Sequence, residues 1–479
     1  MKKSYLLFLA LLALNSCKDD QEQPFSSMTE KTEDDCFNIK ALYSTNHTIS
    51  RKQAEEIALN FVNGATKNSD GGNTLKSTNS LKVSSTIVRS GAKGIKTSKG
   101  VKQDTLGYFV NFADNNGYAY VCADDRVDAG VLALFDKGNF EGENDTLISP
   151  VYDKIDKYVS SSINEFEEKR EQRIFRVEEA IKNGELDTCT SKNQTKAFTI
   201  PIDYVYGPFV KATLGQKYND YLPYCKCDYC TKNNKKNKVV AGCLVVALAQ
   251  YQAYWGDLYS SYINDWIDFS KVNRDPTPQE FRLGRTWVTE TPKCQAISYF
   301  YNQISEAGGI VETTHFHTSA KSSSIGNVKG YLKGQIRETP HALNTEKVIT
   351  WLSKYKSPVF IEGKGVLTYN HIWLCDGVLA KYKFYPLAPR LEKKFCYLHY
   401  NWGWDGANNG FFLDDIFVNT GNGEWNDFGY ECENSQYEDL QMWGMAPYDY
   451  ETKKPRYPYS DYWVHGMEIV FEDGSIIIP

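Results

Sequence analysis

The chain holds twelve cysteines and seven histidines, the side chains best suited to nucleophilic and acid–base chemistry near neutral pH. Cys243 stands in Val239-Val240-Ala241-Gly242-Cys243-Leu244-Val245-Val246-Ala247-Leu248-Ala249-Gln250. A loop ends at Gly242 and a largely apolar helix starts at Cys243. Leu244, Leu248 and Tyr251 lie along one face, and Ala247, Ala249 and Ala253 support continuity. The positive end of a helix dipole stabilises thiolate, the nucleophilic form. A lone Cys before an apolar helix is more often a buried structural residue, so Cys243 means little without partners.

A thiolate nucleophile needs a base. His371 sits in Tyr369-Asn370-His371-Ile372-Trp373-Leu374-Cys375-Asp376-Gly377, which reads as a short strand entered from a loop and closed by an Asp-Gly turn. At the start of such a strand an imidazole can face a cleft, although a satisfied strand His is the commoner case. Further on comes His399-Tyr400-Asn401-Trp402-Gly403-Trp404-Asp405-Gly406-Ala407-Asn408-Asn409-Gly410-Phe411-Phe412. Two Trp among Gly and Asn suggest a wall packed on something specific, and the bland alternative is a tight turn between two strands. Asn401 can accept from one imidazole nitrogen and orient the ring. Upstream, Gln216 in Thr213-Leu214-Gly215-Gln216-Lys217 is a suitable oxyanion donor beside a backbone N–H.

The order Gln216, Cys243, His371, Asn401-Trp402 resembles that of the papain-like cysteine protease clan. The local words narrow the resemblance to the streptopain family, peptidase family C10. AGCLVVALAQ is similar to its Gly-Cys-(apolar)-Ala-Gln helix, NHIWLCDG to its Gly-His-Ala-Trp-Val-Asp-Gly strand, and HYNWGWDGANNGFF to its Asn-Trp-Gly-Trp-Gly-Gly segment. Residues 50–63 and 106–140 resemble its pro-domain, so the likeness covers most of 50–415.

The resemblance implies an α+β fold. A papain-like two-lobed catalytic domain, with a helical lobe carrying the Cys and an antiparallel β lobe carrying the His, would follow an α+β inhibitory pro-domain. It implies Cys243 as nucleophile and His371 as base in a dyad, and Gln216 in the oxyanion hole. Asn401 and Trp402 would orient or shield the imidazole. Thr318 to Ser324 looks like the substrate-cleft wall, with Ser322, Ser323 and Trp404 expected to line the cleft. The implied activity is hydrolysis of peptide bonds by a cysteine endopeptidase made as a zymogen, with no cofactor. Its partners would be protein or peptide substrates and its own pro-domain. Two other classes stay open: a non-catalytic surface binding protein on a degenerate protease fold, and a thiol acyl transferase such as a transglutaminase. The chain departs from the family pattern at Asn370, where Gly is usual, and at Leu214, where Trp is frequent. It also carries a Pro- and Lys-rich piece at 381–394 that reads as a hairpin insertion.

Other clusters are weaker. Cys225-Lys226-Cys227-Asp228-Tyr229-Cys230 has a spacing that can ligate zinc, but without a nearby His the disulfide or thiol readings are preferred. His315 and His317 alternate on a possible strand without a partner acid or Cys at ligand spacing, so no metal site is expected there.

Several elements must carry and deliver this site. Lys2 and Lys3 precede the apolar run Leu6 to Leu14, too short to span a bilayer. Leu14-Asn15-Ser16-Cys17 resembles a bacterial lipobox with Cys17 as the lipidated residue, and Lys18-Asp19-Asp20 looks like the surface-export signal of Bacteroidetes lipoproteins. An exported chain, outer-membrane-anchored and facing the cell surface, is expected. The expected divisions are a signal peptide at 1–16, a polar tether at 17–49, a pro-domain at 50–184, a linker with the activation cleavage at 185–200, and the catalytic domain at 201–479. Within the pro-domain, Ser50 and Gln53 predict a capping box and a helix ending at Gly64. The polar stretch 64–103 reads as a loop. Residues 107–112 and 118–122 predict a hairpin around Asn115-Asn116-Gly117, Val131 to Phe135 a strand, and Pro150 to Asn183 a long charged helix. No catalytic constellation occurs in this half, whose only histidine is His47. At the other end, Met467 to Phe471 is expected as a strand completing the barrel-like half.

The length of 479 residues predicts roughly three domains. A content of 41% hydrophobic and 14% aromatic residues excludes a disordered chain, and a net charge of −6 does not point to nucleic acid.

Overall fold

A computed structural model describes residues 41–67, 81–96, 102–142, 148–183, 204–217, 222–256, 258–260, 265–267, 279–283, 286–314, 318–320, 335–337, 341–364, 371–384, 392–417, 439–449, 454–455, 469–470 and 476–477. Helix α1 (Arg51–Lys67) opens with a reciprocal cap. The Ser50 amide donates to Gln53 Oε1 (2.9 Å) and the Gln53 amide to Ser50 Oγ (3.3 Å). The helix runs past Gly64, because Ala65 is fully buried and rewards the extra turn. Its apolar stripe of Ala54, Ile57, Ala58, Phe61 and Val62 is buried on the sheet formed by β1 (Val83–Lys96), β2 (Lys102–Phe112), β3 (Tyr118–Cys122) and β4 (Val131–Phe135). Each large side chain in that stripe contributes roughly 1.5–3 kcal/mol of burial.

Strand β1 lies inside the stretch expected as loop. Among the described residues it is an edge strand paired with β2 alone, and an edge needs charged and small residues rather than an apolar alternation. The hairpin joining β2 to β3 turns at Gly117, whose φ of +91° places it against the Phe135 carbonyl where a side chain would collide. The long charged helix α2 spans Ser149–Lys182. Residues 41–49, expected as tether, are packed instead. Ala41 and Leu42 are buried with Phe166 and Val177, and Arg170 donates to the Leu42 carbonyl (2.8 Å).

The later part of the chain supplies β5 (Tyr204–Tyr206), α3 (Cys243–Trp255), α4 (Pro292–Glu306), α5 (Thr345–Lys354), β6 (Val359–Lys364), β7 (His371–Phe384), β8 (Glu392–Asn401), β9 (Gly410–Leu413) and β10 (Asp439–Asp449). The mixture is helix and antiparallel sheet, an α+β architecture. Strands run in the order β1-β2-β3-β4-β9-β8-β7-β6-β10, so the two halves share one sheet. The seam is β4 on β9, with Phe135 opposite Gly410 and Ala133 opposite Phe412. Phe135 meets Phe412 edge-on at 5.2 Å, Phe61 meets Tyr397 at 5.0 Å, and the Tyr397 hydroxyl donates to the Val131 carbonyl (2.7 Å).

Residues 359–363 of β6 and 371–380 of β7 are buried on both faces, which explains their near-continuous apolar runs. Phe360, Ile372 and Leu374 join Val245, Leu248 and Tyr251 of α3 and Ile297 and Phe300 of α4 in one core. Ile361, Trp373 and Cys375 face the other core, shared with the first half. Asp376-Gly377 does not close β7. It forms an irregularity in the register with β8, and the strand continues to Phe384, where it pairs with Glu392 across the expected hairpin. Gly377 allows this because a Cβ there would lie about 3 Å from the His399 Cβ and the Pro208 backbone. Near the C-terminus, Ile469–Val470 pairs with Ile476–Ile477 in a separate two-stranded sheet rather than completing the main one. Among the described residues no helix is long and apolar enough to cross a membrane.

Candidate active site

Cys243 is the first residue of α3 and is half-buried. Gly242 precedes it at φ +91°, ψ 151°, a conformation that glycine tolerates and other residues resist. A Cβ there would also lie 3.0 Å from the Thr318 carbonyl. Gly242→Ala is therefore expected to cost about 1–3 kcal/mol of stability. By displacing the sulfur it should also slow hydrolysis by about a hundredfold. Urea denaturation and peptide kinetics check the two effects separately.

Burial pushes the Cys243 thiol above its ordinary range, and the Glu362 carboxylate pushes the same way. Hydrogen bonds from backbone N–H groups at Ile372, Leu244 and Cys243 itself pull against this. The Ile372 contact places the sulfur beside the residue that follows His371, so α3 and the start of β7 converge on one point. Glu362 sits opposite Ile372 in the β6–β7 register and is 8% exposed. Nothing in its local sequence marks it.

His371 is buried, and its Nε2 lies 3.0 Å from the Trp402 carbonyl oxygen. A carbonyl can only accept, so Nε2 carries the proton and Nδ1 keeps its lone pair. Burial lowers the pKa of this imidazole to about 4, although the Trp402 carbonyl favours the charged form. The ring lies nearly parallel to three indoles: Trp404 at 5.2 Å, Trp373 at 5.6 Å and Trp402 at 6.3 Å.

Of Asn401 and Trp402, the two residues expected to orient or shield the imidazole, it is Trp402 that reaches the ring. Asn401 does not serve the imidazole with its side chain. Its Nδ2 donates to the Ala212 carbonyl (2.9 Å) and its Oδ1 accepts from Gln250 Nε2 (2.7 Å). At the end of β8 the strand alternation sends this amide toward α3, and the next carbonyl, that of Trp402, reaches the ring. Asn401 thus fixes the strand end to α3 through Gln250, a partnership not foreseen from the sequence.

Gln216 lies next to the loop before Cys243, its carbonyl accepting from the Ala241 amide (2.9 Å). Two residues earlier the Leu214 carbonyl accepts from Asp405 (3.0 Å), and before that Ala212 takes the Asn401 and Gln250 amides. Alternate carbonyls of one extended segment thereby tie together α3, the Trp402–Asp405 turn and the loop before Cys243. Gly215 makes the approach possible, since a side chain there would strike the Asp405 carboxylate. Trp404 is half-buried and stacks on Trp402 at 5.3 Å. Thr318 packs beside the loop before Cys243, donating to the Val240 carbonyl. Ser322, Ser323, His315, His317, Cys17 with its leader, and the expected cleavage stretch 185–200 all lie outside the described residues.

His399, singled out only as part of the Trp-rich segment, holds a buried charge. Its Nδ1 lies 2.5 Å from Asp376 Oδ1 and its Nε2 2.9 Å from Asp136 Oδ2, an acid from each half of the chain. Burial works against the imidazolium, but Asp136 and then Asp376 override it and raise the pKa to about 10.

Residues 215–412 match the model of the Peptidase C10 family. This span runs from beside Gln216 to Phe412 and contains Cys243, His371, Asn401 and Trp402. No curated protein matches the chain.

Proposed function

We propose, from the premise that residues 215–412 form a cysteine peptidase domain of the streptopain family, that the chain is a secreted endopeptidase working through a Cys243–His371 dyad. One arrangement carries the reading. Cys243 opens α3 where the Ile372 backbone, next to His371, acts on its sulfur, and His371 Nε2 lies 3.0 Å from the Trp402 carbonyl, which in this reading assigns Nδ1 as the base. In this mechanism Nδ1 takes the thiol proton and the sulfur attacks the scissile carbonyl carbon. The Cys243 N–H and the Gln216 side-chain amide stabilise the oxyanion. The tetrahedral adduct collapses as imidazolium protonates the leaving amine, and water then hydrolyses the thioester. The stacked Trp402 and Trp404 shield the ring from solvent, and the segment from Thr318 through Ser322 and Ser323 forms the cleft wall.

In the same reading the first half, 50–184, is an inhibitory pro-domain, and export with lipidation at Cys17 places the enzyme at the outer membrane. A physical link favours control by the first half. The Asp136 amide donates to the Asn409 carbonyl (2.9 Å), and Asn409 Oδ1 accepts from the Trp402 amide (3.1 Å). Trp402 in turn orients His371. In this reading, displacement of the chain leaving β4 is passed through Asn409 and Trp402 to His371.

The test is Cys243→Ser. Casein cleavage and self-processing are expected to fall more than about a thousandfold, with loss of labelling by an epoxide thiol inhibitor. The mature N-terminus of the unsubstituted chain is expected between about 185 and 212. Unchanged cleavage by the variant would sink the assignment. Cross-linking of an amine acceptor in place of cleavage would replace hydrolysis with acyl transfer.

A further inference from the structure

Just ahead of the nucleophile loop, the chain makes an excursion from Pro223 to Lys238. Its base is closed by backbone hydrogen bonds: Val239 to the Pro223 carbonyl (3.0 Å) and Cys225 to the Asn237 carbonyl (2.7 Å). Lys235 donates to the Cys230 carbonyl (2.8 Å) inside it, across a single helical turn at Asp228–Lys232. The two aromatic side chains, Tyr224 and Tyr229, are 57% and 54% exposed. The only buried residues between Pro223 and Lys238 are Cys225 and Cys230. A segment with no apolar core of its own needs another source of order, commonly a disulfide or a metal.

The sulfurs of Cys225, Cys227 and Cys230 lie within 4.8 Å of one another. A disulfide uses two sulfurs and gains nothing from a third. Three sulfurs at mutual contact match three corners of a tetrahedron whose Zn–S bonds are about 2.3 Å, which places sulfurs roughly 3.8 Å apart. Two donors already point at the sulfurs. The Cys227 amide donates to Cys225 Sγ (3.4 Å) and Asn237 Nδ2 to Cys230 Sγ (3.5 Å). Such N–H···S bonds stabilise thiolate and orient metal ligands. Three thiolates and one Zn²⁺ leave one negative charge, and Lys226, Lys232, Lys235, Lys236 and Lys238 belong to the same excursion to offset it.

We infer that Cys225, Cys227 and Cys230 form a binding site for a thiophilic divalent cation, Zn²⁺, which staples this excursion at the entrance to the nucleophile loop. Binding replaces three S–H protons, released to solvent, with three S–Zn bonds. Among the described residues, no fourth His, Cys, Asp or Glu joins the cluster, so water completes the tetrahedron. Because Val239 and Val240 lead directly from the staple to Gly242, the metal would restrain the approach to Cys243 without touching substrate.

The experiment uses the full chain carrying Cys243→Ser, which removes the nucleophile as a competing ligand and prevents self-cleavage. Reduced protein dialysed against Zn²⁺ should retain one equivalent by elemental analysis. Co²⁺ in its place should give thiolate-to-cobalt charge-transfer absorption with tetrahedral visible bands. Adding Cys227→Ser, at the half-buried position where the fold is least disturbed, should abolish both signals, with far-ultraviolet dichroism checking that the chain is folded. Cys294→Ser in the same background should leave them intact. Failure to retain Zn²⁺ together with absent cobalt absorption would overturn the inference, as would a native disulfide joining two of the three cysteines. Neither readout depends on peptidase activity.

Discussion

His371→Ala is expected to lower peptide hydrolysis at pH 7 by about a thousandfold and to change its pH dependence. The imidazole is neutral at that pH, because burial has taken its pKa down to about 4. The thiol is protonated, because burial has raised it. In the proposed mechanism the resting pair is therefore thiol and imidazole, and the proton passes to Nδ1 as the sulfur attacks. Without the ring, only thiolate formed by spontaneous ionisation can react. The residual rate should then climb about tenfold per pH unit from neutrality toward the thiol pKa, as expected when a small ionised fraction carries the reaction. Initial rates on a peptide substrate from pH 6 to 9 measure this, with both proteins processed by the same added protease. A small loss, or a residual rate flat in pH, would show that His371 is not the base.

The largest stability effect is expected at Asp376. Its side chain is fully buried and holds two groups at once, His399 Nδ1 at 2.5 Å and the Val210 amide at 2.7 Å. Asp376→Ala leaves a buried imidazolium with Asp136 alone and strands a buried N–H. Breaking a buried ion pair from one side typically costs about 3–5 kcal/mol. The sign of the pH effect follows from the raised pKa of His399, about 10 against an ordinary 6.5. The pair's stabilisation is complete below about pH 6.5 and is lost as pH rises toward 10. Urea denaturation at pH 6, 8 and 9.5 should show the unsubstituted chain weakening over that window. The variant should be less stable throughout and weaken less. Equal slopes in the two proteins would mean that His399 does not carry the charge assigned to it.

The charge also bears on how the halves come apart. Asp136 belongs to the first half and His399 to the second, and the pair lies where β4 joins β9. Cleavage in the linker would leave this contact, the shared sheet and the Phe135–Phe412 packing intact. In the zymogen reading, release of the first half therefore requires more than cutting the chain.

Much of the site was legible because its residues sit in words with local physical meaning. An apolar run opening with Gly-Cys could only be a buried helix entered from a tight turn, and α3 begins at Cys243. The run opening at His371 was read as a strand and is one, although it continues past Asp376-Gly377 instead of closing there. Ser50 and Gln53 satisfy each other locally, so the start of α1 was readable while its end was not. Gly64 terminates a helix only if nothing beyond it is worth burying, and Ala65 is. Strand β1 was missed for a related reason, since edge pairing selects for polarity and erases the alternation that identifies strands.

The sequence by itself determined the order of the chemical residues, the elements that bear them and the match of residues 215–412 to the Peptidase C10 family model. Each of these depends on side-chain types at short spacing, and short-range preferences survive without the rest of the fold. Only the tertiary structure decided which groups act on those residues. A backbone carbonyl at Trp402, rather than the Asn401 amide, holds the imidazole. Gln250 grips Asn401 across 151 positions, and Asp136 meets His399 across 263. Such partners are chosen by strand register and by which face of a sheet each side chain occupies. A shift of one residue reverses those faces, and register depends on pairings formed across the whole chain.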